Sequence, residues 1–528
     1  MIRPALLLIT LTSFAFGDVP VVDVSQSPRA VVQPAELGAA QWTTGFWAER
    51  TNVCLNHSIP TMWELMRDGN YKPFLGHFLI AAGQAEGDYH GAAWNDGDFY
   101  KWLEAACAAE AIQPNAERRA AIDTAVAAIV AAQRADGYLH TPVLIRNRNG
   151  DASAKPFADR HDFEVYNMGH LITTGCVHYR VTGQRDLLNA AIKAADFLDR
   201  AFTNPTPELA RQAVCPSHYM GVIELYRTTR EPKYLKLAER LLAMRSIATP
   251  DGGDDNQDRI PFTQQREAVG HAVRANYLYA GAADLVLEKN DAELTAALDA
   301  VWENVHQKKL AITGGCGALY DGASPDGAED QTAITRIHQA YGRNYQLPNT
   351  TAHNETCAAI GGVLWNWRRY LATGESRYID AIERAMHNAV LGGVSLVGKE
   401  YFYTNPLRVT DPLPTPLRWP RERVPFVVSY CCPPNVVRTI AELPSMAYAT
   451  DKSGLVVNLY GSSRFRTAFP QGELEVEQIT SFPWDGKARF RIIKCPNTPL
   501  TISFRKPAWS DEVVFDRSEI AMEGGNST

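Results

Sequence analysis

A repeated helical hairpin constrains what this chain can fold into more than any other feature of its sequence. Between about residues 50 and 400, apolar residues recur with the period of an α-helix. Tight turns at 179–183, 226–230 and 370–374 precede predicted amphipathic helices at 186–198, 234–244 and 378–390, respectively. Hairpins of this kind bury their apolar faces only by stacking on neighbouring hairpins. The repeat therefore predicts a closed α/α toroid, with an open solenoid as the alternative.

After about residue 450 the apolar period changes to two, which predicts antiparallel β-strands with one buried face. The alternating segments contain the apolar residues Leu474 and Val476; Ala488, Phe490 and Ile492; and Leu500, Ile502 and Phe504. The predicted fold class is therefore mostly α with β, an α/α barrel followed by a β-sandwich. We expect a signal peptide at 1–17, N-terminal strands at 18–50, the barrel at 51–445 and the sandwich at 446–528.

The N-terminus has the pattern of a secretory signal peptide. Arg3 supplies positive charge, and Ala5 to Phe16 form an apolar run. Ala15-Phe16-Gly17 resembles the small-residue cleavage site of a signal peptide. The run is shorter than a membrane span requires, so we expect export to a periplasm or to the outside of the cell. A buried first strand or helix is the alternative. The net charge of −7 argues against nucleic acid as a partner.

Three of the nine cysteines form a pattern with a carboxylate. Cys357 follows Glu355 by two residues, and Cys431 and Cys432 are adjacent. Three thiolates and one carboxylate suit zinc, although a disulfide between these cysteines is an equal alternative on spacing alone. The remaining cysteines are scattered, and we expect them to be buried structural thiols: Cys54, Cys107, Cys176, Cys215, Cys316 and Cys495.

Neighbouring side chains point onto one ion only where the backbone leaves regular helical geometry. The irregular segment before Glu355 provides such a place for Glu355 and Cys357. For the adjacent pair, Pro433 is expected to push Cys432 out of helical geometry, and Asn435 to cap a helix that begins at the next residue.

Several motifs resemble glycoside hydrolase family 127, the β-L-arabinofuranosidase family, over nearly the whole chain. They are Tyr345 to Asn349 followed by Glu355-Thr356-Cys357, Cys431-Cys432, Thr313-Gly314-Gly315, Lys101 to Ala105, Tyr403 to Leu407 and Pro483 to Gly486. The resemblance implies an (α/α)6 barrel with β-sandwich modules and a zinc ion held by Glu355, Cys357, Cys431 and Cys432. It also implies that one adjacent cysteine, for which we choose Cys431, is the nucleophile of a retaining reaction. The family continues beyond Trp509, so the resemblance implies an incomplete sandwich here.

The sequence departs from the family pattern in the sugar pocket. The family's general acid/base glutamate corresponds to Gln339, and a neutral amide cannot deliver a proton as a carboxylic acid does. His338 and His218 are alternative acids, although an ordinary loop histidine is an equal interpretation of His338. The family's His-Glu pair appears as Phe163-Glu164. Substrate contacts are expected from His271, His218, Glu164, Tyr403 and Asp98, although Asp98 and Glu164 equally suit helix capping or ion pairs.

Four functions are compatible with the sequence. We expect an exported, zinc-dependent retaining glycoside hydrolase that acts on a terminal furanose of plant-wall or pectic oligosaccharides. Its first alternative is a hydrolase of an acidic branched-chain pectic sugar, since a substrate carboxylate would help to protonate the leaving oxygen. A catalytically silent carbohydrate-binding homologue is the second alternative, because of Gln339. A zinc-free α/α-barrel epimerase or lyase is a further possibility. The oligomeric state is left open.

Overall fold

The computed structural model describes residues 20–69, 73–248, 252–322, 337–412 and 416–516. The predicted signal peptide lies outside the described residues. In chain order the helices are α1 (Gly45–Val53), α2 (Ile59–Arg67), α3 (Phe74–Ala81), α4 (Asn95–Ile112), α5 (Ala116–Ala132), α6 (Thr141–Arg148), α7 (Glu164–Thr182), α8 (Asp186–Ala201), α9 (Pro207–Ala210), α10 (His218–Thr229), α11 (Pro232–Ala243), α12 (Arg245–Ala248), α13 (Ala272–Glu288), α14 (Ala292–Lys308), α15 (Thr356–Thr373), α16 (Ser376–Ala385), α17 (Cys432–Glu442) and α18 (Pro444–Ala447).

Six of these helices close into an inner ring. In order around the ring, α4, α7, α10, α13, α15 and α17 each pack on the next, and α17 returns to α4. An outer layer of helices covers this ring. Helices α5, α8, α11, α14 and α16 pack on α4, α7, α10, α13 and α15, respectively. The sixth inner helix, α17, is covered by α1 and the π-helical turn that follows α1. The predicted (α/α)6 barrel is confirmed, and the open solenoid is wrong.

The three repeated turns have one backbone geometry. Each inner helix there ends in a left-handed residue, Gly183 and Gly374 with φ of 71° and Arg230 with φ of 60°. The N–H of each of these residues donates to the carbonyl four residues earlier, which ends the helix. The chain then turns directly into the next outer helix. This repeated cap is the reason that the hairpin was visible in the sequence.

The N-terminal segment and a buried ionic network fill the end of the barrel where the inner helices finish. Arg227 of α10 lies between Asp284 and Glu288 of α13, at 2.6 and 2.7 Å. Arg368 of α15 pairs with the same Asp284 at 2.5 Å. From the N-terminal segment, Ser27 Oγ donates to Glu288 at 2.5 Å. These contacts close one end of the barrel, so any substrate enters from the other.

Strands from both ends of the chain build the β-domain. Its strands are β1 (Gln33–Pro34), β2 (Ala40–Trp42), β6 (Tyr448–Thr450), β7 (Gly454–Val457), β8 (Ser463–Phe469), β9 (Gly472–Thr480), β10 (Ala488–Lys494) and β11 (Thr501–Phe504), while β3 (Gly270–His271), β4 (Leu319–Asp321) and β5 (His338–Tyr341) form a small sheet beside the barrel. The two larger sheets have the orders β1-β6-β7-β11 and β10-β9-β8-β2. They form a sandwich-like C-terminal region, as predicted.

Two details of the predicted strands are wrong. On β10, Ile492 is 43% exposed, and every residue except Phe490 is exposed. Of the predicted apolar face, Phe490 alone packs against the core, so most of this face is not buried. Further on, β11 pairs with β7 in parallel rather than antiparallel. Among the described residues, no helix is long and apolar enough to cross a bilayer.

Candidate metal centre and active site

The predicted site residues gather where the six inner helices begin. Asp96 and Asp98 lie in the first turn of α4. Each of the other inner helices also begins at or directly after a predicted residue: Glu164 on α7, His218 on α10, His271 before α13, Glu355 before α15 and Cys431 before α17. The N-terminus of a helix carries a partial positive charge. The six N-termini surround the open end of the barrel, its mouth, and they favour anionic groups there.

Four side chains form a compact cluster at this mouth. One ligand atom from each of Glu355, Cys357, Cys431 and Cys432 lies within 4.8 Å of every other. Glu355 Oε1 is 3.5 Å from Cys431 Sγ and 3.4 Å from Cys432 Sγ, and the two adjacent sulfurs are 3.9 Å apart. The structure therefore brings together residues that are 76 positions apart along the chain.

The local backbone explains how neighbours converge. Glu355 is extended, with φ of −56° and ψ of 137°, and Cys357 follows in the first turn of α15, as expected. The expectation for the other pair is wrong. Cys432 is already helical and Asn435 is not the cap, because α17 begins at Cys432. Prolines are tolerated in a first turn, where their missing N–H groups would have no helical partner.

The cluster fits a tetrahedral zinc ion. Zinc–sulfur and zinc–oxygen bonds of about 2.3 and 2.0 Å imply tetrahedral edges of about 3.8 Å between sulfurs and about 3.5 Å between sulfur and oxygen. The separations among Glu355, Cys431 and Cys432 are close to these values. Glu355 Oε2 is buried and has no hydrogen-bond partner among the described residues, as expected of a group that awaits a ligand. The disulfide alternative is wrong, since all nine cysteines are free.

Burial and hydrogen bonds within the cluster shift the pKa values of its four groups. Burial raises the pKa of Glu355 and of Cys432 well above their usual values. The pKa of Cys431 rises to about 12, chiefly through its hydrogen bond with Cys357. Although burial opposes it, hydrogen bonds from Cys431 and Cys432 lower the pKa of Cys357 to about 6. A bound divalent ion would favour the deprotonated forms of these four groups, because metal ligands bind without their protons.

A buried lysine links the cluster of three cysteines and Glu355 to Asp98. Lys101 Nζ lies 3.0 Å from Asp98 Oδ1, and both side chains are completely buried. The same ammonium group donates to the main-chain carbonyl of Cys431 at 3.3 Å. The second Asp98 oxygen accepts from Asn95 Nδ2 at 3.0 Å. Asp98 is thus held beside Cys431 by a charge-paired contact.

The small sheet brings Gln339 to the same mouth. Gln339 is buried on β5 with a left-handed φ of 60°, and its amide Nε2 donates to the phenol oxygen of Tyr403. Tyr403 packs against Trp419, with ring centroids 4.1 Å apart. Trp419 Nε1 in turn donates to His338 Nε2 at 3.1 Å. Gln339, Tyr403 and His338 are therefore neighbours, as their candidate roles require.

Three other candidates occupy different surroundings. His218 is fully buried against the Tyr219 ring, and its two ring nitrogens have no hydrogen-bond partner within the described ranges. Burial lowers its pKa to about 3. His271 lies opposite Ala340 in the β3–β5 pair, next to Gln339. Glu164 accepts from Tyr138 Oη at 2.7 Å and from the Phe157 N–H at 2.8 Å, so both of its oxygens hold protein groups.

Several residues at the mouth were not among the candidates. His353 and Asn354 directly precede Glu355, and each is buried with polar atoms that lack a partner among the described residues. Ser429 Oγ lies 3.9 Å from Cys431 Sγ. In the sequence, His353 and Asn354 could have been identified by their position directly before Glu355. Lys101 was visible as a lysine within the apolar segment of α4.

The cysteines outside the cluster follow the prediction with one exception. Cys54, Cys107, Cys176, Cys215 and Cys316 are buried, whereas Cys495 is exposed. Cys495 follows β10, whose position at the sheet edge leaves it in solvent. The prediction of a buried thiol there is wrong.

Comparison with known proteins gives one consistent result. Two domain families match: "Beta-L-arabinofuranosidase, GH127 catalytic domain" over residues 39–445 and "Beta-L-arabinofuranosidase, GH127 middle domain" over residues 454–526. The non-reducing end β-L-arabinofuranosidase of Bifidobacterium longum subsp. longum is 28% identical over 510 residues, which cover 89% of this chain and 75% of that protein.

Solved structures agree with these sequence matches. A structure described as a glycoside hydrolase is 42% identical, with a TM-score of 0.80 over 94% of this chain and 74% of its own. Ara127N-Se, a GH127 β-L-arabinofuranosidase from Geobacillus stearothermophilus T6, is 29% identical, with a TM-score of 0.79 over 89% of this chain and 75% of its own.

These matches define the class of protein as a glycoside hydrolase. More particularly, the chain belongs to glycoside hydrolase family 127, the β-L-arabinofuranosidase family. The resemblance seen in the sequence motifs is confirmed. The epimerase or lyase alternative is set aside.

Proposed function

We propose that the protein is an exported, zinc-dependent retaining glycoside hydrolase with Cys431 as its nucleophile. The observation that carries this proposal is the difference in exposure within the cluster. Cys357 and Cys432 are buried, whereas Cys431 is partly accessible. Cys431 is thus the sulfur able to meet a substrate, while the other two are confined to holding a metal. Export rests on the N-terminal sequence pattern.

The chemistry follows from the residues around Cys431. Glu355, Cys357, Cys431 and Cys432 would hold zinc, which when bound keeps cysteine sulfur deprotonated near neutral pH. The Cys431 sulfur attacks the anomeric carbon, and the bond to the leaving oxygen breaks. Water then cleaves the carbon–sulfur bond and restores Cys431. Two displacements on one carbon retain its configuration.

We infer a terminal β-L-arabinofuranose, or a related plant-wall sugar, as the substrate. The two named relatives are β-L-arabinofuranosidases and are 28% and 29% identical to this chain. Buried polar groups at the mouth would bind sugar hydroxyls, because a buried donor or acceptor is stabilised only when it finds a partner. His353 and Asn354 offer such atoms, and Asp98 lies beside Cys431.

An acidic sugar is the second candidate, and an exposed cation supports it. Arg418 lies over the Trp419 ring at 5.3 Å, close enough to His338 to help lower its pKa. Within the described ranges no carboxylate pairs with Arg418. A carboxylate on the substrate would pair with the Arg418 guanidinium group. Replacement of Arg418 by Met would raise KM for an acidic glycoside at least tenfold and leave a neutral arabinofuranoside unaffected.

One experiment tests the main proposal. Wild type, Cys431→Ala and the exposed-thiol control Cys495→Ala are compared for release of sugar from an aryl β-L-arabinofuranoside and from pectic oligosaccharides. We expect Cys431→Ala to lose at least about 10³-fold in kcat/KM, as expected for removal of a nucleophile, and Cys495→Ala to match wild type. NMR of the first product should show retained configuration.

A silent carbohydrate-binding homologue would behave differently. Calorimetry would detect binding of the sugars by wild type without turnover, and Cys431→Ala would leave the affinity nearly unchanged. Elemental analysis of the purified protein supplies an independent reading. About one zinc per chain is expected in wild type, and its absence would contradict the metal assignment.

A further inference from the structure

The first chemical step requires a proton for the leaving oxygen, and most ionisable groups at the mouth are poorly suited to give one. Gln339 carries an amide. His338 Nε2 already accepts from Trp419. Burial, with help from Arg418 and Arg274, lowers the pKa of His338 to about 3, so the ring is neutral at physiological pH. His218 is buried and neutral for the same reason.

The carboxylates at the mouth are engaged as well. Asp98 is ion-paired with Lys101 through one oxygen and bound to Asn95 through the other. Glu164 holds the Tyr138 hydroxyl and the Phe157 N–H. Neither has an oxygen free to transfer a proton without breaking a buried contact. A hydroxyl group at the mouth can supply the proton instead.

Tyr403 places a phenol hydroxyl in this position. Its side chain is 5% exposed, and its ring is held by Trp419 and by an edge contact with His353 at 6.0 Å. Gln339 donates to the phenol oxygen, so the phenol hydrogen points elsewhere. Burial raises the pKa of the Tyr403 phenol well above its usual value, and the neighbouring Ser429 hydroxyl lowers it. Ser429 Oγ also lies 3.9 Å from Cys431 Sγ, so Ser429 is a neighbour of both Tyr403 and the proposed nucleophile.

We propose that Tyr403 is the proton donor and acceptor of the reaction, with Gln339 as the residue that positions its hydroxyl. This inference rests on the proposed function. As the sulfur–carbon bond forms at Cys431, the glycosidic carbon–oxygen bond breaks, and the phenol proton passes to the leaving oxygen. The phenolate then takes a proton from the water that attacks the same carbon. The carbon–sulfur bond breaks, and phenol and thiolate are both restored.

The test uses the dependence of rate on the leaving group. Tyr403→Phe keeps the ring contacts and removes only the hydroxyl. The variant is compared with wild type on a 4-nitrophenyl β-L-arabinofuranoside, whose leaving group needs little protonation, and on the methyl glycoside, whose leaving group needs it fully. Tyr320→Phe is the matched control, because Tyr320 is a nearby buried phenol that contacts Thr404 at 3.4 Å and the His353 ring.

We expect Tyr403→Phe to lose about 10²–10⁴-fold in kcat/KM on the methyl glycoside, the usual contribution of a general acid, and less than tenfold on the aryl glycoside. Gln339→Met, which removes the positioning amide, should show the same selectivity on a smaller scale. Tyr320→Phe should match wild type on both substrates.

Equal losses by Tyr403→Phe on the two glycosides, or no loss on either, would overturn the assignment. Equal losses by Gln339→Met would overturn the positioning role. Failure of the proposed function is a distinct result, because wild type itself would then release no sugar from either glycoside.

Discussion

Non-glycine residues with left-handed backbones concentrate around the mouth of the barrel. Phe163, Gln339 and Asn354 have φ of 56°, 60° and 41°. Phe163 directly precedes Glu164, and Asn354 directly precedes Glu355. Such conformations cost free energy, and they persist where the surrounding structure fixes them, often at functional sites. The left-handed backbone fixes the directions of the Gln339 and Glu355 side chains. No pattern of residue types in the sequence predicted these backbone conformations.

Replacement of Glu164 by Gln should change how stability depends on pH. Burial raises the pKa of Glu164 from 4.5 to about 8, so the folded state keeps a proton that the unfolded state loses. The stabilisation by this proton is complete below about pH 4.5 and is lost as pH rises towards about 8. The Tm of wild type should therefore fall more steeply between pH 5 and 8 than that of Glu164→Gln. The exposed control Glu117→Gln should keep the wild-type slope, and parallel curves for wild type and Glu164→Gln would contradict the shift.

At the scale of elements, the sequence predicted the helices better than the way in which they meet. The turns at Gly183 and Gly374 and the alternation of Leu474 with Val476 each depend on residues close together in the chain, so local patterns were sufficient. That the N-termini of all six inner helices converge depends on tertiary packing. The sequence did not predict that α17 begins at Cys432, and the reason is local. A proline disfavours helical geometry in the residue before it, but a proline also suits the first turn of a helix.

Removal of the proposed zinc ion should loosen the contact between α15 and α17. Glu355 and Cys357 begin one of these helices, and Cys431 and Cys432 begin the other. A ligand that binds only the folded state at a thousand times its Kd adds about 4 kcal/mol of stability. We therefore expect a chelator to lower the Tm of wild type by several degrees, and zinc to restore it. Cys357→Ser should start near the chelated value and respond little to chelator. A wild-type Tm that ignores the chelator would contradict a structural role for the metal.

At the scale of the whole molecule, the barrel separates a reactive end from a structural end. The mouth carries polar atoms without partners, such as Glu355 Oε2. At the opposite end, charged groups such as Arg227 and Asp284 are paired and buried. The β-domain adds another contact, since Arg505 binds Glu383 of α16 at 2.6 Å. Paired charges from distant segments leave no signature in a single sequence, which is why this network was not predicted while the barrel itself was.

The closed end of the barrel should lose much of its stability when Arg227 is replaced by Met. Arg227 is fully buried and contacts Glu224, Asp284 and Glu288. Its removal leaves Glu288 without its cation and Asp284 with Arg368 alone. Breaking a buried pair in this way typically costs about 3–5 kcal/mol. Denaturant unfolding measures this loss. Arg464→Met is the control, because Arg464 is largely exposed and pairs with Glu475 at the surface of the sandwich, where a pair contributes about 0–1 kcal/mol. Equal losses in the two variants would show that the buried network does not hold the inner helices together. Because Arg227 lies at the end opposite the cluster, Arg227→Met should still bind zinc under conditions where it remains folded.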